Sequence, residues 1–192
     1  LSFSPERIDP GNKDYPVHKI PKVVGGISPE ATKLAEMAYR NIIDTVVPVS
    51  SSRTAEAAKL LENTFRLINI AMIDELAMMA HKMNIDIWEV IRAASTKPFG
   101  FMTFYPGPGV GGHCIPKDPL YLYWKARHFG FRSRFIKLAS DIINFMPEYV
   151  VERVEEALKA RKVPLKRARI LILGVTYKKD IKDLRKSPPL DI

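Results

Sequence analysis

From Arg53 to Asn84 the chain contains no glycine or proline, and large apolar residues fall at Leu61, Phe65, Ile68, Met72, Leu76, Met79 and Met83. Spacings of three and four mark one stripe of a helix. At 1.5 Å per residue such a helix is on the order of 45 Å long. Its centre, Ile70-Ala-Met-Ile73, is apolar nearly all round, which predicts burial on several sides. A helix of this length in so short a chain is expected to serve as a spine or a dimer seam.

Before it, residues 1–19 are rich in Pro, Gly, Asn and Asp and read as loop. Lys22-Val-Val-Gly25 reads as a strand. Ser28-Pro29-Glu30 combines an N-cap, a proline at the first helical position and an acid in the first turn, so a helix is expected to about Ile43. Thr45–Val49 is β-branched and short; its Pro48 predicts an edge strand.

After the long helix, Asp86 is placed to cap another, to about Ala94. Residues 96–117 hold nine glycines and prolines and read as a long loop, the kind that is functional or disordered. Phe99, Phe101, Phe104 and Tyr105 argue for order. Asp118-Pro119 is expected to start a helix to about Phe129. A helix from about Ser133 meets Pro147, which predicts a break or kink before a second segment to about Lys162. Arg169-Ile-Leu-Ile-Leu-Gly174 is a continuous apolar run and reads as a buried parallel strand, with Pro188 as a helix start.

The fold class expected is therefore mixed and mainly α. Residues 1–52 read as the end of an α/β domain, 53–146 as a central helical domain, and 147–192 as a connecting helix with the first strand of another α/β unit. Leu1 opens the chain and Ser187–Ile192 reads as the start of an element, so a central piece of a longer protein is expected.

Composition adds exclusions. A hydrophobic fraction of 46% and a charged fraction of 27% are globular values. One cysteine excludes an internal disulfide. No apolar run approaches the ~20 residues of a membrane span. The net charge of +9 is spread rather than clustered, and its densest run, Lys159–Arg169, has no aromatic residue interleaved, so no nucleic-acid platform is predicted. No metal site is expected.

That one cysteine, Cys114, follows Gly107-Pro-Gly-Val-Gly-Gly-His and precedes Ile-Pro-Lys-Asp. Glycines let backbone N–H groups approach a ligand closely, and electropositive neighbours activate a thiol as a nucleophile. Asp118, four residues on, is placed to bind a hydroxyl or water beside it. Gly107-x-Gly-x-x-Gly112 matches the dinucleotide fingerprint only as a bare pattern. It lacks the preceding strand, so an amide nest for a phosphate or sugar is the better reading. Lys59, Asn63 and Arg66 share one helical face; a buried lysine with an amide donor is what an oxyanion site requires. Lys178–Arg185 follows the expected strand, where open α/β sheets bind nucleotides. Glu6, in Ser4-Pro-Glu-Arg7, is uninformative alone.

Together Ser4-Pro-Glu-Arg7, Lys59-x-x-x-Asn63, Gly107–Asp118, Leu173-Gly-Val-Thr-Tyr-Lys-Lys-Asp180 and Asp183-Leu-Arg-Lys-Ser-Pro188 resemble the UDP-glucose/GDP-mannose dehydrogenase family over essentially the whole chain. Ala94–Met102 and Phe104–Gly109 resemble its branch acting on UDP-N-acetylglucosamine or UDP-N-acetylmannosamine. The resemblance implies oxidation of a C6 alcohol to a carboxylate with two NAD+, without release of the aldehyde. A thiolate traps the aldehyde as a thiohemiacetal, which is oxidised to a thioester and hydrolysed. It casts Cys114 as nucleophile, Lys59 and Asn63 as oxyanion donors, Asp118 as positioning the base or water, and Glu6 as assisting hydrolysis. Tyr105, Pro106, Gly107, Pro108, Gly109 and Gly111, with Lys178, would hold the UDP-sugar. Lys117 and Arg185 would meet NAD. The two flanking α/β parts would be the end of the NAD-binding Rossmann-like domain and the start of the UDP-binding one.

The resemblance also implies a homodimer through helix 53–84 and a cytoplasmic setting. Pro10 stands where many members carry a second glutamate, which implies a different sugar-loop geometry. The family's opening Gly-rich strand–turn–helix is missing from this chain, so these residues alone are expected to be inactive. The competing expectation is a non-enzymatic helical dimerisation domain. A Cys–His hydrolase is disfavoured, because adjacent His113 and Cys114 point different ways.

Overall fold

The computed structural model describes residues 1–192. The chain is mainly helical with one three-stranded sheet. It divides into two compact units, Leu1–Asn63 with Lys179–Ile181, and Thr64–Lys178 with Lys182–Ile192.

In the first unit β1 (Ser2–Phe3), β2 (Lys22–Gly26) and β3 (Val46–Val49) form a sheet in that order. β2 and β3 are parallel, with Lys22 opposite Val46, and α1 (Pro29–Tyr39) links them. Pro48 lies on the edge strand, where its missing N–H breaks no ladder. The Ser28 hydroxyl caps α1 by accepting from the Ala31 N–H. Val24, Ile43 and Val46 make the core, with Ala35 and Tyr39 packed against them. α1 ends at Tyr39, short of the expected Ile43. The N–H groups of Ile42 and Ile43 both turn back to the Tyr39 carbonyl, which carries Ile43 into that core. Ser2–Phe3, expected to be loop, pairs antiparallel with Gly25–Gly26.

The long helix is α2 (Ser52–Lys82). The Ser51 hydroxyl accepts from the Thr54 N–H at its start. At its end Asn84 takes φ +56°, and the Ile85 N–H returns to the Ala80 carbonyl at 2.9 Å, a left-handed stop. Asp86 caps α3 (Ile87–Ala94) by accepting from the Trp88 N–H at 2.9 Å.

In the second unit α4 (Cys114–Arg127) begins four residues before the expected Asp118. Pro116 falls in its first turn, where an N–H has no helical partner anyway, so proline does not oppose the helix. α5 (Arg134–Ala160) is one helix and does not break at Pro147. Pro147 removes the N–H that would bond Ile143, and a Cβ on Gly109 would lie 3.0 Å from that Ile143 carbonyl. The core joins Leu67 and Ala71 of α2 to Ala139 and Ile143 of α5, with Val110 and Ile115 packed on them.

The expected strand at 169–174 does not form. Residues 168–175 have no ladder partner, and Leu171 and Leu173 are 81% and 87% exposed. A continuous apolar strand needs neighbours on both edges and cover on both faces, and no other strand of this unit supplies them. Pro188–Leu190 forms a single 3₁₀ turn at the expected helix start.

Candidate active site

Cys114 is the first residue of α4 and is exposed. His113 precedes it without a side-chain cap, so the helix N-terminus presents its positive end at the sulfur. Asp118 lies one turn along the same face of α4, half-buried, and Lys117 stands beside it.

The glycines before Cys114 are required by contact. A Cβ on Gly111 would sit 2.3 Å from the Tyr177 Cβ and 2.7 Å from the Lys186 carbonyl. The Gly112 N–H donates to the Arg185 carbonyl at 2.8 Å. Ser187, buried, donates to the Val175 carbonyl. The Gly112 bond holds the backbone at Arg185 against the Cys114 loop, with Arg185 close enough to Cys114 for an electrostatic interaction. The hydrogen bond and charge of Asp183, with smaller contributions from Tyr177 and Cys114, raise the Arg185 guanidinium above its usual range. In return the Arg185 fork, 2.7–3.0 Å from both Asp183 oxygens, holds that carboxyl down at about 2. Lys178 lies in the same loop, half-buried, its carbonyl accepting from the Thr176 hydroxyl.

The Tyr105–Gly111 segment is anchored by side chains of α2 and α3. Tyr105 stacks on Trp88 at 6.1 Å, and its neighbour Phe104 meets Phe65 edge-on at 6.0 Å. The Gly107 N–H donates to Asp74 Oδ1 at 2.8 Å. Asp74 is fully buried and its Oδ2 has no partner; burial, only partly offset by the Gly107 N–H, raises its carboxyl to about 7. Asp74 is a site-adjacent residue that the sequence reading misses. The available signal is an acid directly after the apolar centre Ile70–Ile73.

The remaining predicted residues belong to the first unit. Glu6 Oε1 accepts from the N–H groups of Arg7 and Ile8 at 2.6 and 2.7 Å. Partial burial pushes Glu6 up, but the Ile8 and Arg7 N–H groups and the charges of Lys22 and Lys59 outweigh it, leaving the carboxyl below its usual range. Arg7 ties this loop to α2 through Glu62 at 2.8 Å. Lys59 is half-buried on α2, and Asn63, one turn on, is buried. Glu6 and Lys59 therefore share an electrostatic neighbourhood, while Cys114, Lys117, Asp118 and Arg185 group in the second unit.

The site is thus an exposed thiol at a helix N-terminus, behind a glycine-dense loop packed on a charged second loop. Residues 53–144 match the central domain of the UDP-glucose/GDP-mannose dehydrogenase family, and the chain belongs to that family. Over 191 residues it is 43% identical to a UDP-N-acetyl-D-glucosamine 6-dehydrogenase of Pseudomonas aeruginosa, and 37% identical to a UDP-N-acetyl-D-mannosamine dehydrogenase of Pyrococcus horikoshii. Each alignment covers 99% of this chain and 45% or 44% of the relative, so the chain spans under half the length of these curated relatives. A solved UDP-D-ManNAc dehydrogenase from Pyrococcus horikoshii superposes with a TM-score of 0.90 at 34% identity, over 99% of this chain and 44% of that one. The native UDP-N-acetyl-mannosamine dehydrogenase of Staphylococcus aureus gives 0.81 at 33%, over 100% and 43%. No helix of the chain is long and apolar enough to cross a membrane.

Proposed function

We propose that the whole protein oxidises C6 of a UDP-N-acetylhexosamine to the uronate, with Cys114 as the covalent nucleophile. The observation that carries this reading is the exposed Cys114 thiol at the start of α4, beside Arg185 and behind the Gly107–Gly112 loop. The names of the relatives support a UDP-N-acetylhexosamine substrate, glucosamine and mannosamine forms among them.

NAD+, when bound, supplies the acceptor for the two hydrides that leave C6. The residues of this chain do not make a dinucleotide site by themselves. The strand–glycine–helix turn at Gly25–Gly26 is closed by its own backbone. A Cβ there would meet the Ser51 carbonyl at 2.1 Å and the Thr32 nitrogen at 2.4 Å. Arg185 is bound to Asp183, and Lys117 adds a single charge. The 192 residues alone are accordingly expected to show no turnover.

The residues of this chain carry the covalent part. The Cys114 sulfur bonds to the C6 aldehyde carbon, and the carbonyl electron pair moves to oxygen, which takes a proton and gives the thiohemiacetal. Lys59 and Asn63 are the donors for that oxygen. Loss of a hydride from the same carbon, with the hydroxyl proton leaving to water, gives a thioester. Water, oriented by Asp118 with Glu6 assisting, adds to it, and the C–S bond breaks to release the carboxylate and return the thiol. The Tyr105–Gly111 backbone and Lys178 hold the UDP-sugar, and Lys117 and Arg185 meet dinucleotide phosphate.

We assign the exposed stripe of α2 to a homodimer seam, Rossmann-like domains to either side of the helical centre, and a cytoplasmic setting. In the full-length protein Cys114→Ser is expected to lower uronate formation by about 10³-fold or more, read as NADH absorbance and product mass. Unchanged uronate production removes Cys114 from the mechanism. A helical dimer with no oxidation by the full-length wild type favours the non-enzymatic reading.

A further inference from the structure

We infer that Asp74 is a positioning residue that fixes the register of the Tyr105–Gly111 loop, by holding the Gly107 backbone N–H from α2. This rests on the reading of that loop as the cradle of the UDP-sugar.

Asp74 has no exposed surface, and its Oδ1 accepts from the Gly107 N–H at 2.8 Å. Its Oδ2 is buried with no partner. A half-satisfied carboxyl is a poor choice for stability, since an apolar residue of similar size avoids the desolvation cost. Its presence is better explained by what it holds. Pro106 and Pro108 have no N–H, so Gly107 carries the only amide donor of the Pro106-Gly107-Pro108 run. That single donor is the one Asp74 engages. A Cβ on Gly107 would meet nothing closer than 3.9 Å, so packing alone does not locate this turn.

The neighbouring anchors are less directional. Phe104 rests on Phe65 and Tyr105 on Trp88 through ring contacts that tolerate sliding. A hydrogen bond of normal length to a side chain on a rigid 31-residue helix does not tolerate it. Asp74 thus turns two aromatic contacts into one defined loop position, five residues before the Gly112 bond to Arg185.

The test uses the full-length protein with UDP-N-acetylglucosamine and UDP-N-acetylmannosamine as probes. Asp74→Leu removes the acceptor, whereas Asp74→Asn keeps an amide oxygen in its place. In hydrogen exchange read by mass spectrometry, the segment containing Gly107 is expected to exchange about tenfold faster or more in the leucine variant and near wild type in the asparagine variant. KM for the UDP-sugar is expected to rise about tenfold or more in Asp74→Leu, with kcat within about threefold, and to be rescued in Asp74→Asn. If Asp74→Leu does not fold, Asp74→Ala carries the same comparison.

Unchanged exchange at Gly107 and unchanged KM in a folded Leu or Ala variant overturn the inference, as does an equal rise in KM for Asp74→Asn. Failure of the wild type to bind either UDP-sugar in calorimetry, with Gly107 still slow to exchange, overturns the cradle reading and the loop's functional role while leaving the tether intact.

Discussion

The two faces of α2 have opposite fates. One face carries Asn63, Leu67, Ala71 and Asp74, all buried. The other carries Leu61, Phe65, Met72 and Met79, all large, apolar and exposed. The helix thus buries three polar side chains, Asn63, Thr64 and Asp74, and leaves much of its regular apolar stripe exposed, with Ile68 packed on the core. Hydrophobic periodicity identifies a face that avoids water; it does not say which body covers that face. In this chain the protein's own core takes the smaller, partly polar face, and the stripe is left for a partner, which we assign to a second copy.

The largest effect that would sharpen this contrast belongs to Asp74. Its folded carboxyl titrates at about 7 against an ordinary 3.8, so the folded state holds a proton that the unfolded chain releases. Stability is therefore expected to fall as pH rises from about 4 to about 7 and to stay lower above that. Each pH step of one between those two values is worth about 1.4 kcal/mol, so the decline is at most on the order of 4 kcal/mol. Asp74→Asn should flatten this dependence in denaturant titrations from pH 4 to pH 8. A wild type with no such decline would mean that Asp74 is not buried as described.

Next comes Leu67→Ala on the buried face, expected to cost about 3 kcal/mol through lost contacts and a cavity against Ala139 and Ile143. Met72→Ala on the exposed face should change protomer stability by less than about 0.5 kcal/mol, yet weaken self-association in sedimentation. Equal losses at positions 67 and 72 would erase the distinction between the faces. Unaltered association in Met72→Ala and Phe65→Ala together would remove the stripe from the dimer seam.

How much of this was legible in the chain varied with how local the signal is. β2, α1 and β3 follow from β-branched runs and a Ser-Pro-Glu start that act within a few residues. α3 follows from its Asp86 cap. The start of α4 is less legible because Gly111, Gly112 and Pro116 each read as loop. Gly111 and Gly112 are set by close approach to Tyr177, Lys186 and the Arg185 carbonyl, which lie far along the chain, and Pro116 sits where a helix tolerates it. Pro147 misleads because its cost is the one N–H that would bond Ile143, while Ile136, Ala139, Ile143 and Met146 are buried before it and the helix runs on to Ala160. The apolar run at 170–173 has a strand's composition but no ladder partner in its unit. At the site, Cys114 with its glycines was legible because the residue types are rare together. Asp74 was not, because an acid in a helix usually faces water, and only the fold reveals that this one faces Gly107.

The most direct test of the central claim is mass spectrometry on the full-length protein, acid-quenched during turnover with a UDP-N-acetylhexosamine and NAD+, using Glu6→Gln to slow thioester hydrolysis. The account predicts a Cys114-bearing peptide heavier by the UDP-N-acetylhexosaminuronyl group, absent when Cys114 is replaced by serine. Steady uronate formation with the Cys114 peptide unmodified throughout would contradict it.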